Sequence, residues 1–202
     1  MWTSKKLQKE VRRKFSDAVL VVASNREPYI HTVEDGQVVW QRPASGVVTA
    51  LDPVMQSCND GLWVAHGSGN ADQRTADEKG NLAVPPEDPQ YTLKRLWLSK
   101  EEVDGYYYGY SNEGLWPLCH VVYSRPSFYQ EDWDYYVKVN QRFADAILEE
   151  IEGKQAFVWI QDYHFCLVAK YIKEARPDVT TGLFWHIPWP NPEIFRVCPQ
   201  KD

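Results

Sequence analysis

Three short apolar runs in this 202-residue chain each end in residues able to do chemistry. Ala18 to Ala23 (AVLVVA) is followed by Ser24, Asn25 and Arg26, and Ala156 to Ile160 (AFVWI) by Gln161, Asp162, Tyr163 and His164. Thr181 to Trp185 (TGLFW) leads into His186, Ile187 and Pro188. Short runs of apolar, often β-branched residues are how strands buried on both faces of a parallel sheet read. In open parallel sheets, ligands bind at the carboxyl ends of the strands, where loops expose polar groups and helix N-termini. The three ends therefore bring a guanidinium, a carboxylate and an imidazole to one rim. Arginine suits a bidentate phosphate contact, and a carboxylate suits sugar hydroxyls, from which it accepts two hydrogen bonds. Each residue also has a plainer role open to it: Arg26 as a surface partner of Glu27, Asp162 as a helix cap, His186 as a packed histidine. As a set on one rim they point to a ligand.

The elements that must hold these groups follow from periodicity. Tyr29 to Val33 and Gln37 to Gln41 flank Glu34-Asp35-Gly36 and read as a β-hairpin projecting from the sheet. A helical pattern begins at Ser45, with Val48, Leu51, Val54 and Met55 on one side, Pro53 kinking it or ending a first segment, and Asn59-Asp60-Gly61 closing it. Leu62 to Ala65 and Leu93 to Leu98 read as further core strands, with a short strand near Leu82 to Val84 inside the polar excursion from Gly67 to Pro89. Ser99 and Glu102 have capping-box spacing. Asp132 to Glu152 is a long amphipathic helix closing at Gly153, and a further helix is expected near His164 to Ala175. Pro188, Pro190 and Pro192 make a stiff exit that denies the chain a helix before Glu193. Strands alternating with helices give an α/β fold: a Rossmann-like, mainly parallel sheet with helices on both faces and an inserted β-hairpin. One domain is expected for a chain of this length.

Composition excludes several classes. Hydrophobic residues at 44% and charged residues at 25% are ordinary globular values. A net charge of −6 and a pI near 5.4 argue against a nucleic-acid surface or an anionic membrane surface. The basic cluster Lys5, Lys6, Lys9, Arg12, Arg13, Lys14 reads as the solvated face of an N-terminal helix whose other face carries Leu7, Val11 and Phe15. No apolar stretch has the length of a membrane span and no secretion signal is evident, so a cytoplasmic location is expected. Cys58, Cys119, Cys166 and Cys198 are scattered, without a CxxC pair or zinc-ligand histidine spacing, and read as free thiols with no structural metal. Neither G-x-G-x-x-G nor G-x-x-x-x-G-K-[ST] occurs. The nearest phosphate-sized loop is Ala44-Ser45-Gly46-Val47, opening a helix.

Taken in order, VVASNREP, ASGVVTAL, GYYYGYSNEGLWPLCH, WDYYVKVNQRFADAI, VWIQDYHF and FWHIPWPNPEIF resemble the N-terminal domain of the trehalose-6-phosphate synthases, retaining glycosyltransferases (family 20) of the two-Rossmann-domain GT-B architecture. The resemblance runs from about Ala18 to Phe195. It implies transfer of glucose from a nucleotide-glucose such as UDP-glucose to glucose 6-phosphate, without a cofactor or metal. By the same resemblance Arg26 and Tyr107 bind the acceptor's phosphate, Trp116 positions the acceptor, and Asp162 holds its hydroxyls. His186 lies at the donor glucose and the reacting centre, with Trp116 and Ile187 bearing on anomer selectivity, and Gly46 and Val47 approach the donor phosphates. Two departures stand out: Ser45 replaces the first glycine of the family's loop, and His66 stands where the family usually has a second tryptophan after the one matching Trp63. The expected unit is a single acceptor-binding domain over residues 1–202, with the C-terminal nucleotide-sugar domain absent from this chain. That domain would be needed in cis or in trans, and no activity is expected of the chain alone. A glucosylglycerol-phosphate synthase-like transferase acting on glycerol 3-phosphate, and a non-catalytic sugar-phosphate-binding or regulatory fragment, stay open, as does a homo-oligomer.

Overall fold

A computed structural model of the chain describes residues 3, 6, 9, 10, 13, 14, 18–58 and 60–201. The expected N-terminal helix lies for the most part outside the described residues, as does Asn59 at the close of the helix that begins near Ser45. Six strands form one sheet in the order β5-β6-β4-β1-β7-β8, where β1 is Ala18–Arg26, β4 Leu62–His66, β5 Asn81–Val84, β6 Tyr91–Leu96, β7 Gln155–Gln161 and β8 Thr180–Phe184. Only β5, at one edge, runs antiparallel; every other pairing is parallel. The chain builds from β1 outward through β4 and β6, then crosses back to lay β7 and β8 on the other side. The strand order therefore reverses between β1 and β7, which makes a crevice at their carboxyl ends. The hairpin stands apart as a two-stranded sheet, β2 Ile30–Glu34 and β3 Gln37–Gln41. Its turn needs left-handed backbone at both central residues, and Asp35 (φ 49°) and Gly36 (φ 77°) supply it.

The two faces of the sheet read directly from strand alternation. Val21 and Ala23 of β1 point into one core with Val64, Val158 and Ile160, while Leu20 and Val22 point into the other with Trp63, Ala65 and Leu93. The second face is covered by α1, Gly46–Met55, through Val48, Leu51 and Met55. This helix runs through Pro53: the missing N–H leaves only the carbonyl of Thr49 unpartnered, and Thr49 is exposed to water. The first face is covered by α5, Gln130–Glu150, by α6, Val168–Ala175, and by a helical segment that changes pitch along its length. α5 starts two residues before the expected Asp132 and ends at Glu150, with Ile151 as its C-cap, so Gly153, at φ 68°, lies in the turn beyond the helix and does not close it.

That changing segment begins with α3, Lys100–Val103, whose Ser99 and Glu102 form the expected capping box. It continues as a π-helix over Asp104–Leu115 and tightens into α4, Trp116–His120. Between β4 and β5 the excursion contains one short helix, α2, Asp72–Thr75. Two expectations need correction. Residues after Asp162 form a 3-10 turn over Tyr163–Phe165 before α6 starts at Val168, because the carbonyls of Tyr163 and His164 are taken by side chains of α5. A last short helix, α7, starts at Pro192 and not after it, since proline is tolerated where the N–H is unpaired anyway, and Asn191 caps it through the Ile194 N–H at 2.9 Å. The four cysteines are free. Among the described residues no helix is long and apolar enough to cross a membrane.

Candidate functional site

Each residue of Ser24-Asn25-Arg26 has a separate task at the end of β1. The register against β4 slips here, so that Ser24 pairs with Ala65 but Arg26 pairs with His66. Such a bulge re-aims the side chain beyond it. The Ser24 hydroxyl holds the slip in place by donating to the Arg26 carbonyl at 2.7 Å while accepting from the Trp63 indole at 2.8 Å. The Asn25 carbonyl oxygen accepts from the Tyr106 hydroxyl on the π-helix. Arg26 is left exposed, and its guanidinium makes no ion pair among the described residues. The plainer role, pairing with Glu27, is taken by another residue: Arg95 donates to the Glu27 carboxylate at 2.8 Å and to Asp72 at 3.0 Å, all three side chains being fully buried. Two carboxylates on one guanidinium leave an excess negative charge. Burial, and then the neighbouring Asp72, raise the Glu27 carboxyl well above the usual carboxylate range. A proton held there removes a negative charge from beside Arg26.

Arg26 and Tyr107 line one cavity of about 500 Å³, together with Asn25, Glu27, His66, Tyr108 and Asn112. Tyr107 and Asn112 reach it together because of the π pitch. Five residues are about 140° apart around an α-helix, but successive turns of a π-helix bring i and i+5 near one face. Asn112 is fixed by the Tyr163 hydroxyl, which donates to its side-chain oxygen at 2.9 Å.

Asp162 closes β7 in an unusual backbone state, φ 75° and ψ 174°, a region that essentially only glycine populates freely. Its own N–H donates to the Phe184 carbonyl at 2.8 Å, keeping it on the sheet. Its carboxylate accepts the N–H groups of Tyr163 at 3.0 Å and His186 at 3.2 Å. The capping role is thus real but local, one turn of 3-10 helix. Burial raises its carboxyl against these two donors and the nearby imidazoles of His186 and His120. His186 is exposed, and its Nε2 lies 2.9 Å from the side-chain oxygen of buried Gln161, whose amide nitrogen donates to the Trp159 carbonyl. That orientation makes the Gln161 oxygen an acceptor, so His186 carries its proton on Nε2 and presents Nδ1.

His164, which sequence reasoning passed over as a site residue, joins the two groups. Its ring stacks on Tyr163 at 4.1 Å and on Tyr107 at 5.3 Å, and its Nε2 is buried without a hydrogen-bond partner among the described residues. Burial, with the charges of Arg26 and His186, pushes its pKa down to about 3, so the ring is neutral. Of the other expected residues, Trp116 is exposed at the start of α4 with its ring stacked on His120 at 4.0 Å. Ile187 is half-buried against the first core. Gly46 is exposed and Val47 half-buried at the start of α1, where a Cβ on Gly46 would meet nothing within 4 Å, so a ligand can approach the N–H groups of the first turn. They are not among the residues lining the cavity of Arg26. Among the described residues no group of three histidine, cysteine, aspartate or glutamate side chains could hold a metal.

This geometry has relatives. The trehalose-6-phosphate synthase of Mycobacterium tuberculosis is 40% identical over 188 residues, covering 93% of this chain and 37% of its own length. The structure titled as trehalose-6-phosphate from E. coli bound with UDP-2-fluoro glucose superposes with a TM-score of 0.68 at 30% identity, over 92% of this chain and 36% of that one. The alpha,alpha-trehalose-phosphate synthase (UDP-forming) of Burkholderia vietnamiensis gives a TM-score of 0.69 at 26% identity, again over 92% and 36%. The chain thus spans little more than a third of the length of the relatives it matches. The family model for glycosyltransferase family 20 matches residues 17–202, all six strands of the sheet and both halves of the rim, and the chain belongs to that family.

Proposed function

We propose that this chain is the acceptor-binding half of a retaining glucosyltransferase that moves glucose from a nucleotide-glucose, UDP-glucose by the relatives' names, to glucose 6-phosphate, giving trehalose 6-phosphate. The observation that carries the reading is the cavity at the carboxyl ends of β1 and β4, where an unpaired Arg26 and Tyr107 stand together while the neighbouring Glu27 is paired with Arg95 and its carboxyl is raised by burial. An anion fits such a place. Asp162, held by two backbone donors, offers its remaining lone pairs to sugar hydroxyls, while Trp116 positions the acceptor and, with Ile187, bears on anomer selectivity. His186 presents Nδ1 toward the donor side, and the N–H groups at Gly46 and Val47 suit the donor's phosphates. A second domain, in cis or in trans, supplies the remaining nucleotide contacts, consistent with relatives well over twice as long.

In this reading the acceptor hydroxyl attacks the anomeric carbon from the face the nucleotide leaves. The new C–O bond forms as the sugar–phosphate C–O bond breaks, and the hydroxyl proton passes to the departing phosphate. Positioning and electrostatic stabilisation supply the rate, with no covalent enzyme nucleophile. Titration calorimetry with glucose 6-phosphate tests the proposal. The parent chain binds, and Arg26→Ala, which removes an exposed side chain without an ion pair, loses binding while unfolding within about 0.5 kcal/mol of the parent. Equal binding by parent and Arg26→Ala refutes the site.

A further inference from the structure

We propose that His66 reads a hydroxyl of the phosphorylated acceptor, accepting its hydrogen bond at Nε2, and so separates polyol and sugar phosphates from bare phosphate. The inference rests on the acceptor-site reading above and deepens it. His66 is the last residue of β4 and the direct ladder partner of Arg26 across the bulge, and both line the same cavity. A phosphate on Arg26 therefore has this imidazole as its next neighbour.

The ring's tautomer follows from its other contact. Nδ1 lies 3.3 Å from the Leu96 carbonyl oxygen, which can only accept, so Nδ1 carries the proton and Nε2 presents a lone pair. Burial pulls the His66 pKa below the ordinary histidine value, which keeps that lone pair free of a second proton near neutrality. The side-chain amide and carboxylate acceptors around the cavity are already engaged. Asn25 and Asn112 receive the hydroxyls of Tyr106 and Tyr163, and Glu27 receives Ser68 on one oxygen and Arg95 on the other. The tryptophan expected at this place from the family resemblance could only donate through its indole N–H; histidine in this tautomer accepts. An exchange of donor for acceptor changes which atom of the ligand is read, and a site built around a substrate hydroxyl penalises ligands lacking it.

Calorimetry with glucose 6-phosphate and inorganic phosphate, on the parent, His66→Phe, His66→Gln and Arg26→Ala, tests this. His66→Phe is expected to weaken glucose 6-phosphate about tenfold, the worth of one buried hydrogen bond, and to leave inorganic phosphate within about twofold. His66→Gln, which returns an acceptor oxygen near the place of Nε2, recovers most of the loss. The inference is overturned if His66→Phe binds glucose 6-phosphate like the parent, if it loses both ligands equally, or if glutamine restores nothing. Should Arg26→Ala lose both ligands while His66→Phe matches the parent, His66 is dismissed and the acceptor site stands. A parent that binds neither ligand overturns both.

Discussion

Asp162 can be tested by separating what its backbone costs from what its carboxylate contributes. A non-glycine residue at φ 75° and ψ 174° stores about 1–3 kcal/mol. The carboxylate offsets part of this by accepting from Tyr163 and His186, each bond worth about 0.5–1.5 kcal/mol net. Asp162→Ala loses both bonds and keeps the strain. Asp162→Gly loses the same bonds and sheds the strain, at the cost of a more flexible unfolded chain, about 0.4–1 kcal/mol. Glycine should therefore be more stable than alanine by about 1–2 kcal/mol, a difference of roughly 2–8 °C in Tm for a chain of this size, and close to the parent. Paired urea titrations with a shared m-value measure the difference. Calorimetry with glucose 6-phosphate should find binding weakened in both variants. A glycine variant no more stable than alanine would show that the backbone at Asp162 is unstrained and that the inference from geometry to retained function fails.

Three further outcomes follow from the same interior. His164 is neutral when folded, with a pKa near 3 against an ordinary value of 6.5. The unfolded chain thus takes up a proton that the folded one refuses, and stability present above pH 6.5 is lost as pH falls toward 3 by about 1.4 kcal/mol per unit. His164→Phe, which keeps a ring between Tyr107 and Tyr163, should remove that slope from a series of denaturation midpoints. Arg95→Met strands Glu27 and Asp72 in the interior and should cost about 3–5 kcal/mol, whereas Glu27→Gln, which holds the proton permanently, should cost far less; chemical denaturation compares them. In Gly105→Ala the new Cβ would lie 2.8 Å from the Cβ of Tyr135 and 2.5 Å from its ring, with little room to yield on α5, and a loss of about 1–3 kcal/mol is expected.

The sheet was legible because its strands are fully buried runs, and a run such as AVLVVA has few other ways to satisfy burial. Arg26, Asp162 and His186 were legible for a related reason: a parallel sheet fixes where strand ends lie, so residue type at the end carries the signal. What stayed hidden depends on pairs of residues far apart in sequence. Nothing in the polarity or spacing of SNREP tells that Glu27 meets Arg95 instead of Arg26; that follows from β1 and β6 flanking β4. His66 was visible as a departure, but its standing opposite Arg26 comes from a one-residue slip set by Ser24 and Trp63. His164 looked like part of a helix start, and only the stacking of rings from two elements shows what it joins.

The π-helix is the deepest of these omissions, and its physics explains both why it was missed and why it matters. The segment DGYYYGYSNEGL holds three glycines and alternates rings with polar groups, which reads as a loop by any periodicity of 3.6. The glycines are there for contact: Gly105, Gly109 and Gly114 press against Tyr135, Asp132 and Phe128, where any Cβ would collide. With α5 so close, the wide turn lets Tyr106 and Tyr110 fill the core while the Ser111 hydroxyl donates to the Tyr106 carbonyl five residues back, at 2.7 Å. The same widening turns Tyr107 and Asn112 together into the cavity of Arg26. An ordinary α-helix of this sequence would point one of the two away from the ligand. Pitch, set by glycine packing on the far side of the segment, thus decides which side chains the acceptor site contains.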